Sequence, residues 1–321
     1  MNKIKVGIIG AGKMGEKHIK MYKELPKDVE LIGFYDVDEL RSHNISTQYN
    51  IPSFSQIDDL LEKIDAVTIA VPTSLHYTYG LLCANKKKHI LMEKPICKTQ
   101  KEAIHLIDVC KYNGLTLQIG HIERFNPAIK ELPKILKNEQ IISLDFQRLS
   151  PYDQRIFDTD VIHDLMIHDL DIMNWIVNAK IDTIYAQGKC VYNDKYLDYA
   201  QGIIEFSNNI LVSITASRVT EDKIRLLTIH AKNSYIYVDY LNRIIRISRQ
   251  TNFKLNTGYD IQYKQENITE KVYVKMTNPL KEQIISFIKS IQTNQKPIVD
   301  GLDGLKALEI ADKISEIICI K

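Results

Sequence analysis

The chain has 321 residues, enough for two ordinary domains, and its 45% hydrophobic and 26% charged side chains exclude the disordered and fibrous classes. Its 42 basic and 40 acidic residues leave a net charge of +2, which gives no electrostatic footprint for nucleic acid; the one basic run, NKKKH at 85–89, reads as a solvated helix end. No apolar stretch reaches the roughly 20 residues that span a bilayer, and MNKIKVGIIGAGKMG shows no charged leader or cleavage site, so a cytoplasmic protein away from membranes is expected.

The runs KIKVGII (3–9), ELIGFY (30–35), DAVTIAV (65–71) and HILM (89–92) are short, apolar and rich in β-branched residues, which predicts strands. Helical spacing fills 13–25, 74–87 and 99–113, and LTLQIG at 115–120 continues the alternation. Strand alternating with helix gives a doubly wound parallel sheet. After residue 122 the rhythm changes. A helix over 160–175 is followed by extended candidates at 182–192, 199–206, 210–218, 224–231, 234–239 and 243–249, several separated by turn signals such as SNN and KNS. Two helices, 279–293 and 301–319, close the chain, with QKPIVDG as the break. The expected fold is therefore α/β: a doubly wound parallel domain over 1–122, then a 123–321 domain built on an open, mostly antiparallel sheet. Its outer face is expected to carry Ile203, Ile214, Leu226 and Ile236, an apolar area too large to leave wet, so a homodimer or homotetramer should form through it. Cys83, Cys97, Cys110, Cys190 and Cys319 are odd in number and lack a close pair, which argues against a disulfide framework and a zinc site and for buried thiols.

Gly10, Gly12 and Gly15 form G-x-G-x-x-G between the first strand and a helix, the context in which the motif binds a dinucleotide. Gly10 permits the tight turn, Gly12 lets a pyrophosphate approach the backbone, and Gly15 lets helix and strand pack closely. Lys13 and Met14, inside the motif, belong to the same expected site. Asp36 follows Gly15 by 21 residues, at the end of the second strand, where a carboxylate accepts bonds from a ribose 2'-hydroxyl and repels a 2'-phosphate. NAD is expected, and NADP disfavoured. Ligands of such sheets gather at the carboxyl ends of strands, which adds Pro72, Thr73 and His76 from VPTSLHY (71–77) and Glu93 and Lys94 from MEKP (92–95) to the cofactor-binding set.

The segment DVIHDLMIHDLDIMNW (160–175) mixes aliphatics with four aspartates and two histidines. At 3.6 residues per turn Asp160, Asp164, His168, Asp171 and Trp175 share one stripe, with Ile162, Leu165, Met166, Ile172, Met173 and Ile176 opposite. Aspartate is a poor helix-interior residue, so the stripe should face something in common. His163 and His168 lie five apart and off one another's face, and no metal site is expected. An i, i+4 pair on one face lets Asp164 orient the His168 imidazole and favour its protonated form.

In this order, the glycine loop, Asp36, VPTSLH, EKP, GHIERFNPA (120–128) and DLMIHDLD resemble the glucose-fructose oxidoreductase, inositol dehydrogenase and rhizopine catabolism (Gfo/Idh/MocA) family, over essentially the whole chain. The resemblance implies an N-terminal Rossmann domain, a C-terminal α/β domain whose open sheet mediates oligomers, and NAD-dependent oxidation or reduction at one carbon of a sugar, cyclitol or nucleotide sugar. The family's catalytic lysine maps onto Lys94, and its acid and histidine onto Asp164 and His168. His168 would take the proton of a substrate hydroxyl while Lys94 stabilises the developing alkoxide, an effect worth about 3 kcal/mol or more; which of the two is the formal base stays open. GHIERFNPAI and VIHDLMIHDLDIM are similar to members that oxidise the 3-hydroxyl of UDP-N-acetylglucosamine, which would place Arg124 and Asn126 at the sugar or diphosphate. The stretch RLSPYDQRIFDTDVIHD departs from many such members in lacking a glycine-rich lead-in. An inositol or free-sugar dehydrogenase and a non-catalytic dinucleotide-binding regulator are the alternatives.

Overall fold

The computed structural model describes residues 3–153, 159–256 and 261–319, with backbone alone for 251–256 and 261–266. Residues 154–158, within the stretch expected to form the lead-in to the 160–175 helix, lie outside the described residues. The chain forms two compact units, residues 1–125 with 278–309, and residues 126–277 with 310–321.

In the first unit β1 (Ile4–Ile9), α1 (Lys13–Lys23), β2 (Val29–Tyr35), α2 (Glu39–Tyr49), β3 (Ser53–Phe54), α3 (Ile57–Leu61), β4 (Ala66–Ile69), α4 (His76–Asn85), β5 (His89–Met92), α5 (Gln100–Tyr112) and β6 (Leu117–Ile119) follow one another. The six strands are parallel, in the order β3-β2-β1-β4-β5-β6. Their runs are mostly apolar because both faces are covered. Ile9, Val67, Ile69, Ile90 and Met92 pack against Leu60, Cys83 and Leu106 on one side, while Ile8, Ala66 and Leu91 pack against Ile19, Tyr22 and Phe287 on the other. The strand–helix alternation expected from sequence is thus observed.

The second unit begins with α6 (Pro127–Leu136) and β7 (Ile141–Leu149). A π-helical turn, Ile162–Met166, then leads into α7 (Ile167–Val177). Next come β8 (Ile181–Lys189), β9 (Tyr199–Phe206), β10 (Leu211–Ser217), β11 (Ile224–Ala231), β12 (Ser234–Asp239), β13 (Ile244–Asn256) and β14 (Ile261–Val272). These eight strands form one sheet, ordered β14-β13-β12-β11-β7-β10-β9-β8, antiparallel except for β7 beside β10. One face supplies Leu144, Phe146, Ile204, Ile214, Leu227, Ile229, Ile236 and Val238 to a core shared with Ile162, Met166, Leu170 and Met173. The opposite face corrects the sequence reading. Ile214 and Ile236 are fully buried in that core, whereas Ile203 points outward, 47% exposed, among Gln201, Ser213, Thr215, Asp145 and Gln147. Strand side chains alternate, so Ile214, flanked by Ser213 and Thr215, can only face inward if they face out.

The chain then returns to the first unit with α8 (Pro279–Thr293), and α9 (Gly301–Cys319) contributes its residues through Glu309 there and those from Ile310 to the second unit. A single division at residue 122 does not describe this return. Cys83, Cys97 and Cys110 are buried thiols, but Cys190 and Cys319 are exposed, unlike the expectation for all five. Among the described residues no helix is long and apolar enough to cross a membrane.

Candidate functional site

In the first unit the glycine loop has the geometry that close approach of strand and helix requires. Gly10 adopts φ 90°, where a Cβ would stand 2.6 Å from the Ala70 carbonyl oxygen, and a Cβ on Gly15 would lie 1.9 Å from the Gly10 oxygen. Gly12, the N-cap of α1, has no heavy atom within 4 Å of a Cβ built there, and no side chain caps the helix. The first-turn N–H groups and the open side at Gly12 suit an anion. Beside them lies a cavity of about 420 Å³ that brings together Gly10, Gly12, Lys13, Asp36 and Pro72 of the expected set. Ile9, Tyr35, Val37, Arg41, Ala70, Val71, Leu75 and Tyr79, which were not in the expected set, complete its wall. Arg41 was within reach of a closer reading, five residues beyond Asp36 on the first turn of a helix capped by Asp38.

The Asp36 carboxylate accepts the Ala11 N–H at 2.6 Å and the Asp38 N–H at 2.9 Å, and Arg41 Nη1 lies 3.2 Å from Oδ1. It therefore ties the glycine loop to the end of β2 at the position a ribose would occupy. Burial, the Tyr35 hydroxyl and the Asp36 charge push the Tyr79 phenol above its ordinary value, so it stays neutral. The donor set fits a dinucleotide: backbone amides and Lys13 for the pyrophosphate, Asp36 for the ribose, and apolar Val37 and Leu75 beside Tyr79 for a base.

Met14 and Thr73 lie in the chain beside this cavity without lining it, and His76 and Glu93 make other contacts. His76 is 1% exposed; its Nδ1 is 2.7 Å from the Pro95 oxygen and its Nε2 2.9 Å from the Val71 oxygen. Both ring nitrogens face backbone carbonyls, to one of which the neutral ring donates, and His76 does not line the cavity. Burial holds its imidazole below the ordinary value, although the two carbonyls oppose that shift. Glu93 turns inward and accepts from Nε2 of the buried His18 at 2.7 Å. Lys94 lies two residues after the end of β5, half-buried, with a cis bond to Pro95. Arg124, expected at a sugar or diphosphate, is 3% exposed, and its Nη2 lies 3.7 Å from Asp303 Oδ1, so a carboxylate already faces its charge.

In the second unit the acidic stripe is resolved into separate partners. Asp160 precedes the helix and accepts the Ile162 and His163 N–H groups, both at 2.9 Å. His163 stands between Asp160 and Asp312, each 3.0 Å away. Burial lowers the His163 imidazole, but the two carboxylates outweigh it and push it up to about 9. Asp169 is buried against Arg148, with Nε 2.9 Å and Nη2 2.7 Å from its two oxygens, while Asp171 is 1% exposed. Of the expected stripe, Asp160 caps the start of the helix, Asp171 is buried and Trp175 is half-buried. Asp164 and His168 are half-buried, on the π turn and the first turn of α7 respectively. A π turn winds about 4.4 residues, so an i, i+4 pair stays on one side of the axis, and such turns recur at functional sites. Asn126, also expected at the substrate, is a structural cap: its Oδ1 accepts the Ala128 N–H at 3.1 Å and its Nδ2 donates to the Tyr240 oxygen at 3.2 Å. Among the described residues no group of His, Cys, Asp and Glu could hold a metal ion.

Comparison with known proteins agrees with this geometry. The family described as "Oxidoreductase family, NAD-binding Rossmann fold" (Gfo/Idh/MocA) matches residues 4–121, and its "GFO/IDH/MocA C-terminal domain" matches residues 142–236. The chain is similar to a UDP-N-acetylglucosamine 3-dehydrogenase of Acidithiobacillus ferrooxidans, 30% identical over 96% of this chain and 95% of that one. The solved structure of an enzyme so named from the same organism superposes with a TM-score of 0.90 at 29% identity, covering 99% of this chain and 98% of that chain. A myo-inositol 2-dehydrogenase of Thermotoga maritima is 22% identical over 95% of this chain and 93% of its own.

Proposed function

This chain belongs to the Gfo/Idh/MocA family of NAD-binding oxidoreductases, and we propose that it oxidises the 3-hydroxyl of a UDP-linked N-acetylhexosamine. The observation that carries the reading is its full-length similarity to a UDP-N-acetylglucosamine 3-dehydrogenase, 30% identical over 96% of the chain. The dinucleotide cavity around Gly12, Asp36 and Arg41 supports it. When bound, NAD supplies the acceptor for the hydride that leaves the sugar carbon.

This chain's residues supply the rest. Gly12, Lys13 and the α1 amides bind the pyrophosphate, and Asp36 takes the ribose hydroxyls. His168, oriented by Asp164, takes the hydroxyl proton, and the Lys94 ammonium stabilises the developing negative charge on the same oxygen. Dinucleotide binding is assigned to 1–122, and substrate binding and self-association to 123–321. The outer face of the eight-stranded sheet is the surface for a second copy, through Tyr185, Ile203, Leu226 and Tyr235. The reading places the reaction in the cytoplasm.

Screening UDP-sugars and free polyols for NADH formation tests the substrate. UDP-N-acetylglucosamine or its C4 epimer should exceed every free sugar in kcat/KM. Greater efficiency with myo-inositol would favour the second reading, which the inositol dehydrogenase similarity supports; tight NAD binding with no turnover of any sugar would favour a regulator.

A further inference from the structure

We propose that His18 and His76 are a pair of positioning residues that hold Lys94 from both sides and tie it to the dinucleotide cavity. The inference rests on the reading of Lys94 as a group that meets the substrate oxygen. Neither histidine reaches that oxygen; each acts through a residue next to Lys94.

On the N-terminal side, His18 is fully buried in α1, about one turn beyond Gly15, and its Nε2–H donates to Glu93 Oε1 at 2.7 Å. The opposite ring nitrogen, Nδ1, is buried without a partner among the described residues. A buried N–H without an acceptor is costlier than a bare ring nitrogen with one hydrogen-bonded neighbour, which favours the Nε2–H tautomer. Glu93 has little freedom elsewhere. A Cβ on Gly120 would stand 2.9 Å from its Oε2, so the carboxylate lies against that glycine, and the Glu93 N–H still donates to Ile69 at 3.0 Å. Burial raises the Glu93 carboxyl, but His18 and then Lys94 outweigh it, leaving it below the usual carboxylate range and charged.

On the C-terminal side, His76 opens α4 and reaches back to Pro95, the residue after Lys94, at 2.7 Å. Its other nitrogen is 2.9 Å from the oxygen of Val71, which lines the dinucleotide cavity. The two histidines therefore come from two helices that begin beside the cavity, α1 at the glycine loop and α4 after the end of β4. Both converge on the three residues Glu93, Lys94 and Pro95. A lysine has four rotatable side-chain bonds, so a fixed backbone origin is what keeps its ammonium within reach of one oxygen, and misplacement by about 1 Å can cost on the order of 10²-fold in rate. Neighbouring histidines that fix the segments on both sides of the same lysine supply that origin.

The test compares wild type with His18→Leu, His76→Leu, His18→Gln and Lys94→Ala. Turnover is read as separate kcat and KM for NAD. In a second measurement, without sugar, the labelling rate of Lys94 by pyridoxal phosphate and borohydride is followed by mass spectrometry. Each leucine variant should lose at least tenfold in kcat with KM for NAD within about threefold, and its labelling rate should change at least threefold. His18→Gln, whose amide can still donate to Glu93, should recover most of kcat. If a leucine variant does not fold, His18→Asn and His76→Gln carry the same two measurements. Unchanged kcat and labelling in the folded histidine variants, with only a lower melting temperature, would overturn the positioning role while a dead Lys94→Ala left the functional reading standing. Full turnover in Lys94→Ala would remove the functional reading and this role with it.

Discussion

Arg41 lays its guanidinium against the carboxylate of Asp36, with Nη1 3.2 and 3.3 Å from the two oxygens. Half-exposed itself, Arg41 is the cation a 2'-phosphate would seek, yet Asp36 already holds it at the rim of the cavity. NAD should therefore be used at least tenfold better than NADP, a difference of about 1.4 kcal/mol. Asp36→Ser removes one of the two carboxylates beside Arg41, leaving Asp38 3.1 Å from its Nη2, and should raise kcat/KM for NADP about tenfold while lowering that for NAD. Equal efficiency with both cofactors in the wild type would refute the assignment.

Two glycines of the loop should fail in different ways. Gly15→Ala places a methyl where only 1.9 Å separates it from the Gly10 oxygen, so the strand–helix junction must open and the melting temperature should fall by several degrees. Gly12→Ala meets nothing within 4 Å, so the protein should melt normally and lose at least tenfold in NAD affinity, because the methyl occupies the side a pyrophosphate approaches. Calorimetry and fluorescence titration with NADH on both variants separate the two effects.

The clamp at His163 predicts a pH dependence. Its folded-state value, about 9, lies above the ordinary 6.5, so the imidazolium bound by Asp160 and Asp312 contributes stability that is fully present below about pH 6.5 and is lost as pH rises through 9. The wild-type melting temperature should fall between pH 7 and pH 10 by more than that of His163→Gln, and the variant should be less stable at pH 7 by on the order of 2 kcal/mol. Parallel curves for the two proteins across that range would show that the clamp carries no charge.

Arg148 and Asp169 test how α7 is anchored. Both side chains are almost fully buried in a two-bond pair linking β7 to α7, one residue from His168. Arg148→Met takes the guanidinium away from the buried Asp169 carboxylate, at a cost of about 3–5 kcal/mol, whereas Arg148→Met with Asp169→Leu should recover much of the loss. Urea unfolding of the single and double variants measures this; a double variant no more stable than the single would rule out the charge explanation.

The parallel sheet was legible because β4 and β5 are buried on both faces, so their runs read as largely hydrophobic strands. The glycine spacing was legible for a similar reason: only glycine tolerates the contacts at Gly10 and Gly15. The second unit was harder. Periodicity assigns a helix to 160–175 but cannot separate an α turn from a π turn, and it cannot reveal that Asp169 has a partner 21 residues earlier in Arg148. The outer-face expectation failed at Ile214 and Ile236 because apolar residues were gathered without regard to period: each alternates with Ser213 and Thr215 or with Tyr235 and Tyr237, which take the solvent side. Asn126 and His76 carry motif positions, yet their polar atoms are spent on a helix cap and on backbone carbonyls, duties that depend on residues distant in sequence.

The catalytic assignment is tested most directly on Asp164, His168 and Lys94. If His168 takes the substrate proton and Asp164 favours its imidazolium, His168→Ala should lower kcat by roughly 10² or more with NAD affinity nearly unchanged, and Lys94→Ala should do the same. Asp164→Asn keeps the shape and loses the charge, so its kcat should fall less than that of His168→Ala. A purely structural role predicts the opposite division. Asp164 and His168 lie on the helix whose Ile162, Met166 and Leu170 fill the core, so a structural loss would lower the melting temperature and leave the folded fraction fully active. Single-turnover hydride transfer and melting temperature, measured on the same three variants, distinguish the two accounts; full single-turnover rate in His168→Ala with only a lower melting point would end the catalytic reading.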